Sequence, residues 1–451
     1  MKKIDFGIFK SYDIRGVYPQ QINNEIAFQV GIAFADYSKA KKVVIGRDGR
    51  NSSEDLFKGL KNGLFYRNVE VYDLGQVPTE CLYFAVSKYG FDGGIMITAS
   101  HNPKEYNGFK MIYRKGEEIE VARGKDIAEI FKETKEIKTP EFLEDKEIKK
   151  LDVFEDYLKH IFKFVDLEKI GNFKVAIDAS NGMAVKIIPK IIAKLPIKTF
   201  LLNFEINGNF PSHSPNPLSD DAVFQIKETI KEKGADFGFI FDGDADRIFL
   251  ITKNGKLLRG DITLLLIAKH FLKIYPGKGV VFNVICSRAV PEFIEKWGGR
   301  PVKSKVGFVN IRKKMMEEDA IIGGEVSGHY CFRDNFYFDS ASVAFLVLLQ
   351  LISEEKRDLD EIAEELSPYA KSNEINFQTT DKETLLNEIK NKYADGKQNF
   401  LDGVTVEYKD WWFNIRPSQT EPLLRLTIEA KTKELLEEKI KELTEFIEER
   451  S

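Results

Sequence analysis

Cysteine is scarce in this chain. The three present, Cys81, Cys286 and Cys331, lie far apart and form no C-x-x-C pair. A structural zinc site and a disulfide framework are therefore not expected, and reduced thiols in a cytoplasmic protein are the simplest reading. Neither sign of charge dominates: 67 Lys+Arg against 71 Asp+Glu leave a net charge of -4, which speaks for neither a nucleic-acid nor a membrane partner. Long apolar runs are missing too. The most apolar stretch, Ala341 to Ile352, is too short to span a bilayer and reads as a buried helix. Met1-Lys2-Lys3 leads into Ile4-Asp5 and not into an apolar run, so no secretory signal is expected. The nucleotide-binding patterns G-x-G-x-x-G after a strand and G-x-x-x-x-G-K-[ST] are not found. What is present, 43% hydrophobic and 31% charged residues over 451 positions, suffices for several cores; the length predicts about three domains, or four small ones.

Two polar runs carry the chemistry. Thr98-Ala99-Ser100-His101-Asn102-Pro103 follows Gly93 to Ile97, which reads as a short buried strand. A serine at the mouth of such a turn is expected to be exposed and held, as a nucleophile or phosphoryl carrier must be. Asp242-Gly243-Asp244-Ala245-Asp246-Arg247 follows the strand-like Phe237 to Phe241. Three alternate aspartates in a tight turn offer the hard oxygen ligands that suit Mg²⁺. A calcium loop of the EF-hand type is excluded, because its twelfth position would be Lys253 where a bidentate Glu is required. A solvated acidic turn is the plain alternative, but three like charges held together repel one another without a cation.

The order of elements predicts α/β architecture. Val43 to Asp48, Val175 to Ser180 and Val280 to Ile285 each read as a buried strand entering a polar turn. Each precedes a second strand that bears a chemical loop: Ser100, Asp242 to Asp246, and Glu325 to His329. Amphipathic helices lie between, such as Ala222 to Glu232 ending at Gly234. Loops at the carboxyl ends of such strands are where ligands bind. The last part differs, with strands at 375–379, 403–408, 411–416 and 423–430 and helices at 381–393 and 433–449. Leu435, Leu436, Ile440, Leu443 and Phe446 mark the packing face of the final helix. The expected fold is thus three similar α/β domains with mixed sheets plus a C-terminal α+β domain around a central cleft, divided at 1–150, 151–253, 254–367 and 368–451.

Further segments join these runs: Tyr12-Asp13-Ile14-Arg15-Gly16, Gly46-Arg47-Asp48-Gly49-Arg50, Gly323-Gly324-Glu325-Val326-Ser327-Gly328-His329 and Arg416-Pro417-Ser418-Gln419-Thr420-Glu421-Pro422. Together, in this order and over nearly the whole chain, they resemble the α-D-phosphohexomutase family, in its phosphomannomutase/phosphoglucomutase branch. The resemblance implies reversible conversion of a hexose 1-phosphate to a hexose 6-phosphate through phosphoserine 100 and a hexose 1,6-bisphosphate. It implies Mg²⁺ held by Asp242, Asp244, Asp246 and an oxygen at Ser100. Arg15 becomes a cation beside the phosphoserine, Arg247 one at the phosphoryl group or the sugar, or else a structural partner of the aspartates, and Lys110 and His329 proton-handling residues, Lys110 only if neighbouring cations lower its pKa. Glu325 and Ser327 become readers of the sugar; Lys305, Arg416, Ser418, Gln419 and Thr420 join them as substrate-binding residues, Arg416 and its loop holding the phosphate that is not reacting.

The resemblance also implies a mobile fourth domain hinged near Ser367, in a monomer or small homo-oligomer acting on a hexose phosphate. Val326 stands where the phosphoglucosamine branch more often has Gln, which favours mannose or glucose. Phe308 and Ile285 stand where dual-specificity members carry His and a cation, which leaves the preference between those sugars open. Phosphoglucosamine mutase is one alternative. A Mg²⁺-dependent phosphatase with Asp242 as nucleophile and Asp244 as acid is another, from a different class. A non-catalytic sugar-phosphate sensor is a third. His160 and His270 are expected in helices as packing or surface residues, and no role is read for His213.

Overall fold

The computed structural model describes residues 4–138, 147–379, 381–418 and 423–450. The chain forms two compact units, Met1–Leu258 with Phe338–Lys356, and Arg259–Tyr337 with Arg357–Ser451.

The first unit contains two mixed sheets. In the larger, the strands run in the order Ile14–Val17, Tyr106–Lys115, Gly93–Ile97, Lys42–Arg47, Glu70–Gln76 and Lys149–Lys150, with Glu118–Val121 also paired to Tyr106–Lys115. In the smaller, the order is Ile248–Thr252, Phe237–Phe241, Lys174–Asp178 and Lys198–Leu202. Gly93–Ile97 is parallel to Lys42–Arg47, and Phe237–Phe241 is parallel to Lys174–Asp178. Both are buried throughout, as continuous apolar runs under helices on both faces must be. The helix Phe224–Lys233 ends where Gly234 takes a left-handed φ of 60° and donates back to the Ile230 carbonyl. Ala341–Glu355, buried along most of its length, packs with this unit, and Ser340 caps it by accepting from the Val343 N–H at 3.0 Å.

The second unit repeats the pattern once. Arg300–Ser304, Gly279–Asn283, Ile322–Gly324 and Tyr330–Phe332 form a sheet in that order. Its other sheet is antiparallel throughout, with Val404–Glu407, Trp411–Pro417 and Leu423–Ala430 at its centre. The helix Lys433–Glu448 lays Leu436, Leu443 and Ile447 into that core, flanked by the half-buried Leu435, Ile440 and Phe446. The architecture is three α/β sheets of mixed direction and a C-terminal α+β part, as the sequence predicts. In each α/β sheet a central parallel strand leads straight into a chemical loop, and an antiparallel strand returns from it. No helix among the described residues is long and apolar enough to cross a membrane.

His160 lies in Phe154–Ile161 and packs its ring 5.2 Å from Phe84; His270 lies in Gly260–Ile274, beside Phe271. A buried carboxylate joins two helices of the first unit. Glu80, 1% exposed, accepts from Ser340 Oγ at 2.8 Å, from the Ser342 N–H at 3.1 Å and from the Ser342 hydroxyl. Burial, only partly offset by these donors, pushes its pKa up to about 7 from an ordinary 4.5. A raised carboxylate pKa favours the protonated fold. Its contribution is full below about 4.5 and is lost as pH rises through about 7. Stability should therefore fall between pH 5 and 8 by an amount on the order of 3 kcal/mol. Glu80→Gln should flatten that slope in thermal melts across this range, since its carbonyl still serves the Ser342 N–H and the two hydroxyls can turn. An unchanged slope would assign the dependence to another group.

Candidate active site

Ser100 lies three residues beyond Gly93–Ile97 and takes a φ of +52°, unusual for any residue but glycine. Its N–H donates to Thr98 Oγ1 at 2.8 Å, and its hydroxyl donates to Asp242 Oδ2 at 2.9 Å. The sequence leads one to expect an exposed serine, but Ser100 is only 2% accessible. The aspartate loop lies directly against it: a Cβ at Gly243 would come within 2.6 Å of the Ser100 carbonyl oxygen. Only glycine allows that approach.

Asp242, Asp244 and Asp246 are brought together by the turn and not by strand alternation, with Ala245 at a φ of +56°. One carboxylate oxygen from each lies within 4.8 Å of the others, and all three residues are buried. Asp242 is engaged on both oxygens: Oδ1 accepts from the N–H groups of Asp246 and Arg247 at 3.2 Å each, and Oδ2 from Ser100 and from Arg247 Nε at 2.8 Å. Asp244 Oδ2 accepts from Thr79 Oγ1 at 2.6 Å, Lys110 Nζ at 2.8 Å and Thr98 Oγ1 at 3.3 Å. Asp244 Oδ1 is buried with no hydrogen-bond partner. The Lys110 ammonium also donates to Asp246.

These contacts separate the carboxylates. Burial, with Asp246 and Asp244 alongside, raises Asp242 to about 6. Burial would raise Asp244 as well, but the Lys110 ammonium and the Thr79 hydroxyl outweigh it and hold Asp244 well below the carboxylate range. For Lys110 loss of water works downward, yet Asp244 and Asp246 push its pKa well above the ordinary value. The condition for Lys110 to handle a proton, a lowered pKa, is not met: Lys110 stays an ammonium. Loss of water, with Arg247 and Arg15 near, pushes the His101 imidazole well below its usual value; its Nδ1 lies 3.3 Å from Ser100 Oγ. Arg15 donates to Asn102 Oδ1 at 2.6 Å and to the Ala99 carbonyl at 3.3 Å, and pairs with Asp13.

In the second unit Glu325 follows Ile322–Gly324 and is 4% exposed. Its Oε1 accepts from Ser327 Oγ at 2.6 Å, and its Oε2 from the Gly307 N–H at 2.9 Å and Asn283 Nδ2 at 3.2 Å. Phe308 stacks on His329 with centroids 5.7 Å apart, Lys305 is exposed, and Ile285 is buried. Arg416 is a buried arginine, paired with Glu374 and 3.4 Å from Asn414 Oδ1. Ser418 is half-buried, with its N–H donating to the Leu423 carbonyl; Gln419 and Thr420 lie outside the described residues.

Three positions escaped the sequence reading. Thr79 opens the helix Thr79–Tyr89, and its N–H donates to the Asp244 carbonyl at 3.0 Å as well as its hydroxyl to the side chain. Arg50 lies under the serine loop. His213 is buried between two acceptors, with Nε2 3.1 Å from Asp178 Oδ2 and Nδ1 2.7 Å from the Ser214 carbonyl. Only an imidazolium has a proton for each, and Asp178 raises its pKa against the effect of burial. No local sequence signal marks Thr79 or His213; Arg50 closes the family-like run Gly46 to Arg50, which gave it no role.

Three α/β sheets that each present one polar loop, one of them with a serine against three carboxylates, define a protein built for phosphoryl or sugar-phosphate chemistry. The chain matches the four domain profiles of phosphoglucomutase/phosphomannomutase: alpha/beta/alpha domain I over residues 7–138, domain II over 155–255, domain III over 259–369 and the C-terminal domain over 374–445. It is 36% identical over 446 residues to a phosphomannomutase of Methanocaldococcus jannaschii, covering 98% of each chain. It is 35% identical to a phosphomannomutase/phosphoglucomutase of Pseudomonas syringae over 95% of this chain and 92% of that one. The crystal structure of a phosphoglucomutase/phosphomannomutase family protein from Burkholderia thailandensis superposes with a TM-score of 0.88 at 30% identity, covering 99% of this chain and 98% of the other. The chain belongs to the phosphoglucomutase/phosphomannomutase family. It is a phosphohexose mutase, an isomerase of carbohydrate metabolism.

Proposed function

We propose that the enzyme interconverts the 1- and 6-phosphates of mannose or glucose by carrying the phosphoryl group on Ser100 and passing it through a hexose 1,6-bisphosphate. The observation that carries this reading is the Ser100 hydroxyl 2.9 Å from Asp242 within a buried cluster of three carboxylates. A hexose hydroxyl oxygen attacks the phosphorus of phosphoserine 100; the bond to Oγ breaks as the new P–O bond forms. After the bisphosphate turns end for end, its other phosphoryl group returns to Oγ. The loss and gain of the sugar hydroxyl proton are assigned to His329, because Lys110 is held as an ammonium. Lys110, Arg247 and Arg15 offset the charge of the phosphoryl group.

The donor set fits a magnesium ion. Asp242, Asp244, Asp246 and an oxygen at Ser100 are all hard ligands, and Asp244 Oδ1 is a buried carboxylate oxygen with no protein donor. Bound there, the ion supplies electrostatic relief at the transferring group. Glu325 and Ser327, joined through their side chains at 2.6 Å, are assigned to two adjacent ring hydroxyls, and Arg416 and Ser418, with Gln419, Thr420 and Lys305, to the sugar phosphate. The four-domain division at residues 150, 253 and 367 and a cytoplasmic setting belong to the same proposal. The phosphatase reading fares worse, because it leaves no role for Ser100, whose hydroxyl donates to Asp242 at 2.9 Å.

Incubation with ³²P-labelled glucose 1,6-bisphosphate should place acid-stable label on the peptide containing Ser100. Label on an aspartate, cleaved by hydroxylamine, would sink the serine scheme. In parallel assays mannose 1-phosphate and glucose 1-phosphate should be turned over, with glucosamine 1-phosphate slower by about tenfold or more.

A further inference from the structure

Arg50 belongs to a run for which the family resemblance supplied no role, and all five N–H donors of its guanidinium are used. The residue is 3% exposed. Nη1 donates to the carbonyls of Pro103 at 2.7 Å and Tyr106 at 3.0 Å, and Nη2 to those of Asn102 at 2.7 Å and Ser100 at 2.8 Å. The fifth N–H, on Nε, donates to Asp48 Oδ2 at 3.1 Å. Four of its five donors therefore hold one seven-residue loop, and the fifth meets the counter-charge.

Asp48 is itself fixed, accepting the Arg50 N–H at 3.0 Å and Ser53 Oγ at 2.7 Å. Asn107, at the other end of the loop, donates to Ser52 Oγ and Ser53 Oγ at 2.8 and 3.1 Å. The Phe210 ring covers the guanidinium with its centroid 5.0 Å away. The planar fork matters: a lysine ammonium has three donors on a single atom and cannot span four carbonyls spread over this loop.

The carbonyls held by Nη2 are the serine's own and that of Asn102, two residues on. With both fixed, Ser100 is kept in the left-handed conformation that L-residues avoid, and that conformation directs Oγ to Asp242. We propose that Arg50 is a positioning residue for the mutase reaction, holding Ser100 in the one orientation from which it can both give and receive a phosphoryl group. The inference rests on the proposed phosphoserine role of Ser100. Arg50 spends all its donors within the protein, so it acts through the loop and not on the sugar. Its loss should reach turnover and spare substrate affinity, because near-attack geometry fails while the sugar- and phosphate-binding residues are untouched.

The test uses Arg50→Lys and Arg50→Ala in the full chain. Labelled glucose 1,6-bisphosphate counts the phosphorylated sites, and turnover is expressed per labelled site. The expected result is about a hundredfold lower kcat per labelled site, with KM within about threefold of wild type. Should Arg50→Ala fail to fold, Arg50→Lys, which keeps the charge beside Asp48, carries the test alone. Labelled wild type together with an Arg50→Lys variant of unchanged kcat per labelled site would overturn this inference alone, whatever the melting temperature does. A KM raised in proportion to a lost kcat/KM, at constant kcat, would overturn it too. Wild type that takes no label at Ser100 would overturn the phosphoserine reading, and this inference with it.

Discussion

Ser100→Ala is expected to lower turnover of glucose 1-phosphate by at least about 10⁴-fold while leaving the fold intact. The serine oxygen is the group that would bond to phosphorus, and among the described residues no other hydroxyl donates to Asp242. Thr98 Oγ1 accepts the Ser100 N–H and lies 3.3 Å from Asp244, so it is committed to positioning. Stability should barely change. Alanine bears the same left-handed backbone cost as serine, and Asp242 loses one donor of four while Arg247 Nε and two backbone N–H groups remain. A coupled assay for glucose 6-phosphate, beside a thermal melt, checks both halves. Residual activity above about one part in a hundred in a well-folded variant would place the carrier elsewhere.

Asp244→Asn is expected to cost about a thousandfold in turnover and to abolish the response to magnesium. Chelation of wild type should remove activity, and Mg²⁺ should restore it. The asparagine carbonyl can still meet Thr79 and Thr98, so the loop geometry survives in part. What disappears is negative charge where a cation and Lys110 need it. Without metal, Lys110 keeps its pair to Asp246 and the mutual repulsion of the carboxylates falls, so the stability of the first unit should change little. Added Mg²⁺ should raise the melting temperature of wild type and leave that of Asp244→Asn unchanged, because only an ion that binds the native state stabilises it. An equal magnesium response in both proteins would remove Asp244 from the ligand set.

Much of the scaffold is legible because local chemistry governs it. Gly93 to Ile97 and Phe237 to Phe241 read as buried strands from unbroken apolar runs, and so they are. Gly234 ends its helix in the left-handed conformation, and the apolar stripe of the last helix finds the core, with Ile447 added to it. The short pairings Ala370–Lys371 and Lys397–Asn399 were missed, since segments of two or three residues carry no periodicity.

The chain by itself determined which residues could do the chemistry: a serine after one buried strand, three aspartates after another, a Glu-x-Ser after a third. Spacing along the backbone records side-chain type and order, and these suffice to name candidates. Only the tertiary structure decided their protonation and surroundings. Ser100 is buried because a loop from 142 residues away packs on it, and Lys110 stays an ammonium because acid partners from more than a hundred residues downstream lie against it. Thr79 reaches Asp244 across 165 residues, and Arg50 holds a loop 50 residues on. Burial and Coulomb interactions depend on distance through space, and a linear order of residues carries no such distances until the sheets have formed.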